Sequence, residues 1–121
     1  MKLHERLQTA LAKAGWEIRE IESAPSEWWC DEHWIVASVR EGWGTLVHVY
    51  FLIDPQWDGP RRKGQGVWEV AATADRASDW VEASRGGVVI PLALGRFDEQ
   101  IAEFLAGLSQ YRRSGAATQH H

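Results

Sequence analysis

The chain lacks most of the features that assign a sequence to a class of protein. It has a single cysteine in 121 residues, so no disulfide can form within it. No apolar run approaches the roughly 20 residues that a membrane helix needs. The N-terminal residues also lack the unbroken apolar stretch of a secretory signal. These absences predict a cytoplasmic protein that does not bind a membrane.

The chain also has no excess of basic charge. Lysine and arginine together number 13 against 17 aspartates and glutamates, which gives a formal net charge of −4. Proteins that bind nucleic acids need basic surface to neutralise phosphates, so we predict no nucleic-acid partner. The charges are grouped, with acidic side chains concentrated over residues 17–32 and basic ones at Arg61, Arg62 and Lys63.

A nucleotide-binding loop is excluded by the residues that follow its glycines. Gly59 and Gly64 have the spacing of a P-loop, but Gln65 occupies the position of the required lysine. A strand rather than a helix is predicted next, so the strand–loop–helix context is missing as well. The basic segment is therefore predicted to be either a solvated hairpin loop or a contact for an anionic partner.

The composition is that of one globular domain. Apolar residues make up 45% of the chain and charged residues 25%, and 121 residues is the length of a single domain. We predict a domain over residues 1–113 and a flexible tail over residues 114–121, and we assign no role to His120 and His121. The eight tryptophans can bury about 150–250 Å² each, enough to anchor much of a small core.

Hydrophobic periodicity predicts two amphipathic helices with strands between them. Residues 2–14 carry an apolar stripe that ends before Gly15, and a second stripe begins at Phe97 and recurs four, seven, eight and eleven residues later. The predicted strands are residues 16–22, 33–40, 45–54, 67–74 and 88–94. Residues 75–85 fit either a short helix or an irregular excursion. The predicted fold class is α+β: an antiparallel sheet of four to five strands in a meander, with an N-terminal and a C-terminal helix packed on one face.

The segment SEWWCDEHW, residues 26–34, is the most unusual stretch of the chain. Pro25 precedes it, so residues 26–32 are predicted as a loop and His33 as the start of a strand. The tryptophans predicted to lie in strands, and hence in the core, are Trp16, Trp34 and Trp68. Tryptophans in loops either cap the core or bind a partner, and the charged residues beside them are candidate contacts. The predicted binding residues are Trp28, Trp29, Asp31, Glu32, Trp57, Arg61, Arg62 and Lys63.

Cys30 and His33 allow a different, chemical interpretation. A cysteine nucleophile needs a base, which a nearby imidazole can supply. Cys30-x2-His33 is also half of a zinc-binding spacing, and His48 and Asp31 are the nearby residues that could complete it. Against both interpretations, no family signature surrounds the cysteine, and adjacent carboxylates disfavour a thiolate. We therefore predict no catalytic residue, no cofactor and no metal, and keep Cys30, His33 and His48 as the alternative enzyme or metal site.

The predicted function follows from layout and charge. The helix–sheet–helix order and the mild acidity resemble those of small bacterial chaperones and immunity proteins, and this resemblance of shape and charge implies a protein partner. We predict a small non-enzymatic domain that binds a protein or peptide, like a chaperone, adaptor or immunity protein. The alternatives are an enzyme or metal-binding protein, and a domain that self-associates, for example as a homodimer, through a strand edge or an exposed apolar face.

Overall fold

The computed structural model describes residues 3–23, 29–38, 46–56, 66–85, 87–91 and 96–119. Within these ranges the chain forms three helices and five strands. In chain order they are α1 (Leu3–Lys13), β1 (Trp16–Ser23), β2 (Cys30–Ser38), β3 (Leu46–Ile53), β4 (Val67–Thr73), α2 (Trp80–Arg85), β5 (Val88–Pro91) and α3 (Phe97–Gln119). No helix in these ranges is both long enough and apolar enough to cross a membrane.

The five strands form one antiparallel sheet in the order β1-β2-β3-β4-β5. Each strand pairs with its neighbours in sequence, which confirms the predicted meander and the hairpin predicted between β2 and β3. β3 is the central strand, and its residues from Val49 to Ile53 are all buried. Side chains that are apolar on both faces of a strand need cover on both sides of the sheet, and β3 has that pattern.

Helices α1 and α3 cover one face of the sheet, as predicted. Leu7 and Leu11 of α1 and Phe104 and Leu108 of α3 are almost completely buried. They form one cluster with the sheet face that carries Phe51. Burial of each such side chain stabilises the fold by about 1.5–3 kcal/mol, so these residues anchor the two helices on the sheet.

The opposite face is covered in part by α2, which resolves the two interpretations of residues 75–85. The second half of this segment is helical, and the backbone before it is irregular. Asp79 Oδ1 accepts a hydrogen bond from the backbone N–H of Glu82 (2.8 Å), and Glu82 Oε2 accepts one from the N–H of Ser78 (2.8 Å). This arrangement is close to a capping box, which explains why the helix begins here. Ala83 of α2 is fully buried in the cluster on this face.

The prediction that Trp68 lies in the core is wrong, whereas the other two strand tryptophans are buried as predicted. Trp68 leaves 38% of its surface exposed. A register shift gives the reason: Leu52 of β3 pairs with Glu69, but the next residue, Ile53, pairs with Val67. Trp68 is the extra residue between those pairs, and the regular alternation of faces fails at such a position.

Among the boundaries that fall within the described residues, two differ from the prediction by more than one residue. The loop predicted over residues 26–32 is wrong at its end, because β2 already begins at Cys30. At the other end of the chain, α3 continues as helical backbone to Gln119. The division into a domain over residues 1–113 and a flexible tail over residues 114–121 stays a prediction.

Candidate functional site

β2 contains a β-bulge at the segment that the sequence singles out. Cys30 pairs with Leu52 and His33 pairs with Tyr50, so two residues of β2, Asp31 and Glu32, oppose the single residue of β3 between those partners. In a regular strand, consecutive side chains point to opposite faces. A bulge breaks that alternation and redirects side chains. Here it places both acidic side chains on the face under α1.

The two carboxylates meet an imidazole from α1. His4 lies in the first turn of that helix, and its Nε2 atom is 3.3 Å from Asp31 Oδ2 and 3.8 Å from Glu32 Oε2. The three donor atoms all lie within 4.8 Å of one another. We call His4, Asp31 and Glu32 the carboxylate–histidine cluster. Among the described residues, it is the one group of three or more His, Cys, Asp and Glu side chains whose donor atoms converge in this way.

Neighbouring aromatic rings hold two members of the cluster in place. The indole N–H of Trp34 donates a hydrogen bond to Glu32 Oε1 (2.7 Å), while the other oxygen of that carboxylate faces His4. The His4 ring stacks on Phe51, with centroids 4.2 Å apart, and Trp34 meets Phe51 edge-on at 4.8 Å. The donor atoms are therefore oriented by packing as well as by their own contacts.

The burial of the cluster makes its charge balance important. Only 8% of Asp31 and 3% of Glu32 is exposed. Two neighbouring carboxylates buried at this depth are unfavourable unless positive charge compensates them. His4 supplies at most one positive charge. Its Nε2 atom is buried and makes no hydrogen bond of normal geometry with any described residue, although both carboxylate oxygens are close.

Two of the residues predicted to bind a partner, Asp31 and Glu32, are therefore placed differently from the expectation, and a third, Trp29, takes one of the two roles predicted for it. Asp31 and Glu32 were expected in an exposed loop, and they lie buried in a strand because the bulge turns both towards α1. Trp29 is 5% exposed and packs against Tyr50 on the other face of the sheet, with ring centroids 5.4 Å apart. It caps the core, which is one of the two roles predicted for a loop tryptophan.

The opposite face of the sheet carries a second group of polar side chains. His33 Nε2 and His48 Nδ1 are hydrogen-bonded at 2.9 Å, and the His33 ring stacks on Tyr50 at 4.5 Å. Burial lowers the pKa of His48, the nearby Arg76 guanidinium lowers it further, and Asp75 opposes the shift. Burial also raises the pKa of the Tyr50 phenol.

Cys30 and His33 do line a common pocket, but it is very small. Trp29, Tyr50 and Ala77 contribute to its walls, and it has room for about one water molecule. The exposed rim holds an ion pair between Arg76 and Glu22 at 3.3 Å. A pocket of this size does not admit a substrate beside the thiol.

The alternative ligand set of Cys30, His33 and His48 does not form a metal-binding group. The nitrogens through which the two imidazoles approach each other are bonded to one another. All three residues are described, and their donor atoms do not converge in the way that those of the carboxylate–histidine cluster do. The bulge also removes Asp31, the other residue that could have completed this set, because it leaves Cys30 and His33 on one face of the sheet and sends Asp31 to the other.

The remaining predicted binding residues, Trp28, Trp57, Arg61, Arg62 and Lys63, lie outside the described residues, and their role stays a prediction. Sequence reasoning missed His4 altogether. A usable signal was present, because His4 stands three residues before Leu7 and seven before Leu11, which places it on the buried side of the α1 stripe.

Comparison of the chain with protein-family models, with curated proteins and with solved structures finds no match in any of the three. The function is therefore inferred from the donor atoms, their burial and their charge.

Proposed function

We propose that the chain is a small domain that binds a divalent metal ion through His4, Asp31 and Glu32. One observation carries the proposal: three donor atoms from two separate elements converge within 4.8 Å of one another, and both carboxylates are buried. Exposed acidic residues often lie close together without a ligand. Buried ones need compensating charge.

The spacing of the donor atoms supports a shared ion. Ligands that bind one ion at about 2.0–2.2 Å in tetrahedral or octahedral geometry lie about 2.8–3.6 Å from one another. The 3.3 Å distance between His4 Nε2 and Asp31 Oδ2 is within that range. Glu32 Oε2 lies 3.8 Å from the same nitrogen, and the three donor atoms lie within 4.8 Å of one another, so a bound ion would have to draw the Glu32 carboxylate closer.

The charge of the cluster supports a divalent rather than a monovalent cation. Two carboxylates carry two negative charges, and a divalent ion bound with neutral imidazole leaves a site of no net charge. A site without net charge is the most favourable one in surroundings that water does not reach.

The donor types indicate the class of ion. One imidazole nitrogen and two carboxylate groups suit zinc, manganese or ferrous iron, whereas magnesium and calcium prefer oxygen donors alone. Copper(I) favours sulfur ligands, and the one thiol of the chain, Cys30, lies on the other face of the sheet.

The test is calorimetric titration of chelator-treated protein with Zn²⁺ and with Mn²⁺. Every protein in the series carries His120→Ala and His121→Ala, so that terminal imidazoles do not contribute. We expect one ion per chain, with affinity at least about tenfold lower in Asp31→Asn and Glu32→Gln, because each variant loses a direct ligand. His48→Gln removes a histidine outside the cluster and should bind like the parent. The proposal is wrong if the parent binds neither ion, or if His48→Gln weakens binding as much as Asp31→Asn does.

A second candidate function is the binding of an acidic protein partner at the end of the sheet where Trp68 lies. Trp68 exposes 38% of its surface, and the sequence just before β4 carries Arg61, Arg62 and Lys63. Tryptophan and arginine are enriched among the residues that dominate protein interfaces. An oligoglutamate peptide is the probe. Val81, which is 47% exposed, is the apolar control. Salt-sensitive binding that is lost in Trp68→Ser and kept in Val81→Ser supports this function, and equal binding by both variants contradicts it.

A further inference from the structure

α1 is a short helix, and the contacts described at its N-terminal end come from two half-buried side chains, His4 and Arg6. It has 11 residues, and a helix of that length is marginal in water without tertiary contacts. Leu7 and Leu11 hold its middle and end in the core. Its first turns are held by the stacking of His4 on Phe51, by the Arg6 guanidinium over the Phe97 ring at 5.3 Å, and by an ion pair between Arg6 and Asp98. The Asp98 side chain is 91% exposed, and ion pairs in such a setting contribute little.

The carboxylate–histidine cluster joins this weakly held end of α1 to the sheet. His4 is in the first turn, whereas the connection to β1 is at the other end of the helix, where Gly15 adopts a positive φ of 86°. The remaining ligands come from β2. An ion bound by all three side chains is therefore a link between two elements that are far apart in sequence.

We infer that metal binding fixes the N-terminal half of α1 on the sheet, so that this half-helix is a metal-dependent latch over Trp34 and Phe51. The inference depends on the proposed metal-binding function. Without the ion, no ligand bonds hold the first turns of α1 on the sheet, and their opening lets water reach both buried carboxylates. The same opening uncovers Trp34 and Phe51, which are 1% and 0% exposed when the latch is closed. The ion thus controls access to an apolar surface.

Amide hydrogen exchange with and without Zn²⁺ tests the latch. Some amides of α1 exchange only when the helix opens, and zinc should reduce their exchange rates. The expected factor is one plus the ratio of the zinc concentration to Kd, so exchange is about 100-fold slower when the zinc concentration is 100 times Kd. Amides of α2, which packs on the opposite face of the sheet, are the internal reference and should keep their rates, because they exchange by local openings that leave the ion bound.

His4→Ala separates the latch from metal binding itself. This variant keeps both carboxylates, so we expect weaker zinc binding without any added protection of α1. The latch is wrong if zinc binds to the parent but slows amide exchange in α1 and α2 to the same extent. It is also wrong if zinc still slows exchange in α1 of His4→Ala. The proposed metal binding is unaffected by either result. If calorimetry shows no zinc binding to the parent, the proposed function and the latch both fail.

Discussion

Asp31 and Glu32 are consecutive residues of one strand, and both side chains face the same imidazole, that of His4. A regular strand would send one of them to each face of the sheet. The bulge between Cys30 and His33 removes that separation, so the pair of carboxylates exists only because β2 has one residue more than β3 there. Bulges are over-represented beside functional sites, which fits this geometry.

The metal-free protein should gain stability from Asp31→Asn. The substitution removes one of two neighbouring buried carboxylates and keeps the shape of the side chain, so we expect the free energy of unfolding in the presence of chelator to rise by about 1 kcal/mol. Urea denaturation measures it. Glu17→Gln changes an exposed carboxylate and should alter stability by less than about 0.5 kcal/mol. A loss of stability in Asp31→Asn would show that the buried charges are already balanced without an ion.

Deletion of Asp31 should be tolerated by the fold and should abolish metal binding. Removing the extra residue restores regular alternation between Cys30 and His33, so the faces of the rest of β2 are unchanged. Deletion of Val36 in the same strand reverses the faces of the residues beyond it, and we expect that variant to be unfolded. Circular dichroism and cooperative thermal melting distinguish the two. If both deletions unfold the chain, the bulge is required for folding, contrary to this prediction.

Gly107→Ala should destabilise the packing of α3 on β5. A Cβ at this position would lie 2.7 and 2.8 Å from the two methyl carbons of Val88. The side chain of a β-branched residue has little freedom to move aside. We expect a loss of about 1–3 kcal/mol from the overpacking, larger than the roughly 1 kcal/mol that alanine gains over glycine in a helix.

The matched rescue for this contact is Val88→Ala in the Gly107→Ala background. Removing the two methyl groups relieves the clash, so the double variant should be more stable than Gly107→Ala alone, as measured by urea denaturation. Non-additivity of this sign is the signature of two side chains in direct contact. If Gly107→Ala is as stable as the parent, α3 is packed less closely on β5 than the distances imply.

The elements of the fold could be predicted because each depends on local spacing. The stripe that begins at Phe97 has a period that only a helix satisfies, and the apolar run of β3 requires a strand covered on both faces. Trp68 shows where this reasoning stops. Its neighbours have the alternation of a strand, but its exposure depends on a register shift opposite β3, and strand register is a property of pairing rather than of one segment.

The candidate site could not be predicted for the same reason. The residue types in SEWWCDEHW drew notice, but the grouping of Cys30 with His33, Asp31 and Glu32 assumed an irregular loop. The bulge divides them between two faces. His4 is joined to the carboxylates only by the docking of α1 on the sheet. This contact links residues 27 and 28 positions apart, and no local spacing encodes it.

His48 should make the stability of the fold depend on pH. Burial and the Arg76 guanidinium place its folded-state pKa below the ordinary histidine value of 6.5, and Asp75 acts in the opposite direction. His33 is hydrogen-bonded to the same ring. At a pH between that lowered pKa and 6.5, His48 binds a proton in the unfolded chain but not in the folded one. The free energy of unfolding therefore decreases as the pH falls below 6.5, and it stops decreasing on this account below the folded-state pKa. Urea denaturation from about pH 8 to about pH 5 measures this dependence. Other groups also titrate in this range, so the parent is compared with His48→Gln. We expect this variant to lose less stability than the parent as the pH falls. Parallel curves for the two proteins would show that His48 does not contribute to the pH dependence.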